Sequence, residues 1–311
     1  MTVVEVAPGA YGVVSVSSGH DFGIRLLRRD ATRLHMCRSY GRAMPGTVTR
    51  ISVTPVKGLA LHHPDTVELT TGGVPGDRTF FLVDARGHMV SATRLGALVA
   101  VRAEHDAAAG TLSLAFPGGR VITAPVEVDG AAPVRFYGLR LEARPVGGPF
   151  SAALSEHAGK PVRLMLSPPT RPGVDRGAVG AATVISSASL RRLAAQAGVE
   201  EVDARRFRMT FEIDGVEPHA EDHWVGREVA IGDARLRVTG HVGRCALTTR
   251  NPDTGAVDLP TLHVLKAYRG EVESTEPLPF GVAAAVVQPG RVRIGDAVSE
   301  AAFDVVLRPS G

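Results

Sequence analysis

A stretch from Gly240 to Gly255, GHVGRCALTTRNPDTG, sets a cysteine directly after an arginine and ahead of a turn signal. A thiol beside a guanidinium is favoured as thiolate, and a thiolate is both a nucleophile and a soft metal ligand. Cys245 is therefore the first candidate for chemistry, with Arg244 as the neighbouring cation. The competing reading is a small buried cysteine that acts only as a hydrophobe, the ordinary fate of a lone thiol. Lys57 and Arg78 each follow tight turn chemistry in strand-rich sequence. Cations on fixed backbone suit an anionic group such as phosphate, although most such side chains are simply solvated.

Other constellations fall short. His219 and His223 stand four apart in HAEDHW, but the spacing is not that of a zinc helix and no third ligand is evident. His62 and His63 read as solvated loop residues, and Trp224 as a core anchor. Ser186 and Ser187 precede a helical pattern and read as caps rather than nucleophiles. The phosphate loop GxxxxGK[ST], a GxGxxG after a strand and a GxSxG elbow are all missing.

The elements that must position Cys245, Lys57 and Arg78 are mostly strands. VTRISVTPVKG alternates, TVELTTGGVPGDRTFFLVDARGHMV holds two strand-like runs, and Asp84 to Gly87 reads as a hairpin turn. LVAVRAEHD, TLSLAF, RVITAPVEV and PVRFYGLRLEARPV continue the pattern. Short strands at close spacing predict a closed or sandwiched sheet, because closure satisfies strand edges. RFRMTFEI, EVAIGDARLRVTGHV, FGVAAAVVQ and RVRIGDAV predict a second set of strands. Three short helices are predicted at 151–159, 187–198 and 259–270, with Ser151 as a possible N-cap and Gly159, Gly198 and Gly270 as stops. The fold class is thus mostly β, a β-rich α/β chain with two barrel-like domains: 44–165, then a Pro- and Gly-rich linker at 166–180, then 181–311.

The 311 residues are 44% hydrophobic and 22% charged, enough for two modest cores. A formal net charge of +3 favours anionic ligands without arguing for nucleic acid. The two cysteines, Cys37 and Cys245, lie in segments of different character, which predicts no disulfide framework and a reducing, cytoplasmic setting. No run approaches the length of a membrane span. Residues 1–43 differ from the rest: GIRLLRRDATRLHMCRSYGRAM carries six arginines against one aspartate. They read as a disordered tail or as residues ahead of a true start at Met44, with a weak likeness to a transit sequence.

ISVTPVKGL, GVPGDRTFFLVDARGHMVSATR, RFRMTFEI, EDHW, GRCALTTRNPDTG, PTLHVLKAYR and QPGRVRIGDAV occur in an order and spacing that resembles one family. Its proteins join a MOSC N-terminal β-barrel domain to a MOSC domain, and include the mitochondrial amidoxime-reducing components and bacterial relatives. The resemblance covers about 48–300, most specifically from Arg244 to Gly255. It implies a molybdenum cofactor (molybdenum with molybdopterin), with Cys245 as the catalytic sulfur ligand to molybdenum. It further implies that Lys57, Arg78, Arg208, Thr210, Gly243 and Arg244 contact the cofactor. The implied reaction is reduction of small N-hydroxylated substrates, N–OH to N–H, with electrons from a separate flavin or iron–sulfur protein. This chain departs from the pattern at four places: RGAVGAA lacks the acidic residue that relatives often have before the SSASL helix, Gly58 stands where they often have serine, Thr210 where they have asparagine, and Ala283 where an aromatic is common. The last predicts a roomier or more apolar pocket. Two further readings stay open: a sulfur carrier bearing a persulfide on Cys245, with pyridoxal phosphate as a remote association, and a non-catalytic cofactor-binding module.

Overall fold

In a computed structural model, the structure describes the strands at 12–18 and 21–27, and residues 46–168 and 177–300. The first two strands, Gly12–Ser18 and Asp21–Leu27, pair antiparallel as a unit of their own. The remainder of the segment read as a tail, with Cys37 and Met44, lies outside the described residues, as does 169–176 of the linker.

From Gly46 onward the alternating strands close into a seven-stranded barrel. Around it run Ala182–Ser186, Phe211–Asp214, Gly46–Ile51, Ala297–Glu300, Glu228–Ile231, Ala234–His241 and Val282–Gln288. All neighbours are antiparallel except Ala182–Ser186 with Phe211–Asp214. The strand Gly46–Ile51 comes from the start of the predicted first domain, yet it fills the gap between Phe211–Asp214 and Ala297–Glu300. Its residues Val48 and Ile51 are fully buried among Phe211, Ile213, Val229, Leu236 and Trp224, three apart because the pairing with Phe211–Asp214 carries a register shift. Thr66–Leu69 likewise pairs with Gly290–Arg293, and sends Val67 and Leu69 into that same core. Closure leaves few open edges, which is what the short-strand pattern demands.

The rest of the N-terminal half is an open half-barrel. A five-stranded sheet runs Ala132–Phe136, Leu139–Pro145, Arg163–Leu166, Phe80–Val83, Met89–Val90, and a three-stranded sheet runs Arg102–Asp106, Thr111–Ala115, Val121–Pro125. Phe80–Val83 has no polar residue because both its faces are covered. Phe80 and Leu82 meet Leu112, Leu114, Phe150 and Leu154, while Phe81 and Val83 meet Val134, Phe136 and Met165. The Asp84 turn forms as predicted: Asp84 Oδ1 accepts from the amides of Arg86 and His88, each at 2.9 Å.

Three α-helices form among the described residues: α1 (Phe150–Ala158), α2 (Ser187–Ala197) and α3 (Thr261–Arg269). Ser186 caps α2 by accepting from the Ser189 amide, and Gly198 ends it at φ 68. Leu190, Leu193 and Ala194 share its buried face, packed with Leu265, Phe207 and Phe280. Ser151 does not cap α1; it lies inside the helix, and its Oγ accepts from the Leu164 amide at 3.0 Å. His62 is half-buried, its Nε2 bonded to the Ala103 carbonyl, whereas His63 is exposed as expected, with Nδ1 3.1 Å from Ser52 Oγ. RFRMTFEI is not one strand. Asp203 caps a 3-10 turn over Ala204–Phe207, Arg208 turns left-handed at φ 54, and the strand starts only at Phe211.

Candidate functional site

All seven residues singled out from the sequence, Lys57, Arg78, Arg208, Thr210, Gly243, Arg244 and Cys245, line one cleft of about 180 Å³. It lies where the half-barrel meets the closed barrel, a common position for ligand sites.

The half-barrel supplies cations on constrained backbone. Gly58, directly after Lys57, sits at φ 91, a conformation that strains any L side chain. Lys57 holds its ammonium 5.6 Å from the Tyr137 ring centroid and 5.9 Å from that of Phe136, a cation–π arrangement at the cleft wall. Arg78 is left-handed at φ 51 and pairs with Asp77, whose other oxygen accepts from the Thr54 amide at 2.8 Å. Its Nη2 crosses to the Arg208 carbonyl at 2.9 Å.

The closed barrel supplies the opposite wall. Arg208 Nη2 returns to the Leu59 carbonyl at 2.7 Å, so the two arginines stitch the walls together reciprocally. Thr210 is buried, and its hydroxyl lies 3.2 Å from that of Thr183, which also accepts from the Thr210 amide at 2.8 Å. Arg244 is 8% exposed. Its guanidinium stacks over Phe207 at 5.1 Å and donates to the carbonyls of Phe280 and Phe207, so it braces the wall. Gly243 is closely flanked: a Cβ there would meet Glu276 Oε2 at 2.6 Å and the Pro277 carbonyl at 3.0 Å. Ala283 does not open the cleft as expected; it is buried with Leu193, Leu265 and Phe280, because its strand turns that face toward the helices.

Cys245 is exposed and opens on this cleft. The apolar-packing reading of the thiol therefore fails. Its carbonyl accepts from the amide and hydroxyl of Thr248, which starts the turn Ala246–Thr249. Three arginines then clamp the rest of the loop. Arg205 grips Asp253 through two bonds at 2.7 and 2.8 Å, and Arg206 grips Asp258 at 2.7 and 2.9 Å. Arg250 reaches the carbonyls of Gly255 and Thr93. Asn251 Oδ1 accepts from the amides of Asp253 and Thr254, the side-chain turn that Asn-Pro-Asp signals. The conspicuous TTRNPDTG run, Thr248 to Gly255, is thus a scaffold for Cys245, three residues ahead of it. Thr93, Asp77, Tyr137 and Arg206 also line the cleft, and no sequence signal marked them.

Among the described residues, five cations line the cleft (Lys57, Arg78, Arg206, Arg208, Arg244) against one carboxylate, Asp77. That balance, with a soft sulfur in the same cleft, is a donor set that fits a metal carried on an anionic, phosphate-bearing organic group. The histidine pair of HAEDHW takes no part: among the described residues no cluster of His, Cys, Asp and Glu could hold a metal ion. His219 instead packs edge-on to Phe280 at 5.8 Å, and burial lowers its pKa to about 4.

Fold and cleft together define a class of protein built from two β modules around a shared cleft. The chain belongs to the MOSC proteins: residues 45–161 match the MOSC N-terminal beta barrel domain and residues 173–299 match the MOSC domain. Mitochondrial amidoxime-reducing component 1 of Homo sapiens is 28% identical over 281 residues, covering 81% of this chain and 82% of that protein. The Mus musculus protein of that name is 29% identical with equal coverage. Molybdenum cofactor sulfurase of Danio rerio is 26% identical over 232 residues, covering 65% of this chain and 28% of that protein. Of these relatives, the Danio rerio protein is the one whose name refers to the molybdenum cofactor. Among the described residues no helix is long and apolar enough to cross a membrane.

Proposed function

We propose that this protein is a molybdenum cofactor-dependent oxidoreductase that reduces small N-hydroxylated compounds. One observation carries the reading: the exposed thiol of Cys245 opens on the cleft that Lys57, Arg78 and Arg208 line. In the reaction, one N–OH group, two protons and two electrons give one N–H group and one water. The bound cofactor supplies the two-electron redox chemistry. The chain supplies the rest. Cys245 Sγ is the protein ligand, Lys57, Arg78 and Arg208 bind the anionic part of the cofactor, and Arg244 braces the wall that presents the thiol. Gly58, Gly243 and Thr210 line the same cleft. The electrons come from a separate flavin or iron–sulfur protein.

The test is molybdenum and pterin content in protein made in a cofactor-competent host, together with reduction of an amidoxime. Cys245→Ala abolishes metal retention or turnover while stability stays within roughly 1 kcal/mol, since the residue is exposed. Parent-rate reduction by that variant would overturn the ligand assignment. The relative named a cofactor sulfurase favours a second reading, a sulfur carrier. Cyanide-labile sulfur on Cys245 without stoichiometric molybdenum distinguishes it.

A further inference from the structure

Arg250 follows the two threonines of the cysteine loop and bridges the two modules. Nη1 donates to the Gly255 carbonyl at 2.6 Å within its own loop, and Nη2 donates to the Thr93 carbonyl at 2.8 Å in the N-terminal half. Thr93 in turn sets its Oγ1 3.9 Å from Cys245 Sγ. The passage for the guanidinium is made by two glycines. A Cβ on Gly96 would overlap Arg250 and the Gly255 carbonyl, and a Cβ on Gly255 would overlap the Gly96 backbone. Gly255 also needs its freedom for φ 72. Both bonds leave one planar fork, so the spacing between the two carbonyls is fixed by the guanidinium, and each bond is charge-assisted.

We infer that Arg250 is a positioning residue for the sulfur: it pins Thr93 across the seam, so that the Thr93 hydroxyl fixes the direction in which Cys245 Sγ is presented. Without the pin, the two halves are still joined by the crossing bonds of Arg78 and Arg208, but Thr93 loses its backbone bond to the cysteine loop. That the sulfur then meets molybdenum rests on the reading above; the pin itself is a property of the chain.

Cross-linking reads the pin without cofactor. In a Cys37→Ser background, Thr93→Cys is oxidised with diamide, which takes two electrons and two protons as the new thiol and Cys245 join in a disulfide. With Arg250 present the cross-link forms fast. Adding Arg250→Gln slows it roughly 10-fold, the effect of losing charge-assisted bonds. Arg250→Lys, which keeps the cation, gives an intermediate rate and serves if the glutamine variant does not fold. Equal rates with and without Arg250, or no cross-link in its presence, overturn the inference. If the cross-link behaves as stated but the molybdenum-loaded protein reduces no N-hydroxylated compound, the functional reading fails and the pin stands.

Discussion

Arg78 donates to the carbonyl of Arg208 at 2.9 Å, and both residues hold left-handed backbone, φ 51 and 54. Such a conformation costs a non-glycine residue of order 1 kcal/mol or more, and here it occurs on facing walls of one cleft. Residues held in such conformations cluster at ligand and active sites, where the surrounding structure offsets the strain.

A stability–function trade follows at Arg208. Arg208→Gly removes the backbone strain but also the bond to the Leu59 carbonyl, and these offset to within about 1 kcal/mol. Thermal unfolding of the metal-free variant therefore stays close to the parent, while molybdenum and pterin content fall. A variant that loads like the parent would remove Arg208 from the site.

The approach of Gly96 to Gly255 predicts a contrast between two glycines of similar φ. Gly255→Ala drives a Cβ into the Gly96 backbone, where neither side can yield. Gly110→Ala, at φ 65 with nothing nearby, meets only the left-handed penalty of about 1 kcal/mol. Denaturant titration should show at least about 2 kcal/mol more loss for Gly255→Ala.

Two buried groups behind the site predict opposite pH dependences. Burial first, and then the Arg269 guanidinium, push His219 from 6.5 down to about 4. Between those values the unfolded chain takes a proton that the native state refuses, so stability falls as pH drops from about 6.5 toward 4. His219→Phe flattens that limb of a stability–pH curve.

Glu221 is fully buried beside Ser186 and Ser189, and desolvation raises its pKa above 4.5. Its native state keeps a proton that the unfolded chain loses, so its contribution is present below about pH 4.5 and is lost as pH rises through the native value. Glu221→Gln is therefore more stable than the parent at neutral pH, with the difference shrinking toward pH 4. A constant offset at all pH values would show that the Glu221 carboxyl titrates alike in the folded and unfolded chain.

How far the sequence carries is visible at particular residues. Cys245, Lys57 and Arg78 could be singled out because each sits beside local turn chemistry, whereas Arg208 was implied only by the family resemblance. The helices α1 to α3, the Asp84 hairpin and the Ser186 cap are equally local, set by apolar spacing and by side chains that bond their own backbone. Arg208 was misplaced onto a strand because its left-handed turn is imposed by contacts with Arg78 and Leu59, far away in the chain.

What the tertiary structure alone decided is pairing across distance. Gly46–Ile51 alternates like any strand, and nothing in it says that its partners are Phe211–Asp214 and Ala297–Glu300. Ala283 reads as an opening in a pocket until its strand is placed and turns it to the helices. Arg244 reads as a cation for the thiol until its donors are found on the carbonyls of Phe280 and Phe207. Spacing along a chain fixes which atoms a residue carries and the conformation of its neighbours. Which remote backbone those atoms meet depends on how the barrel closes, and that is set by the whole core at once.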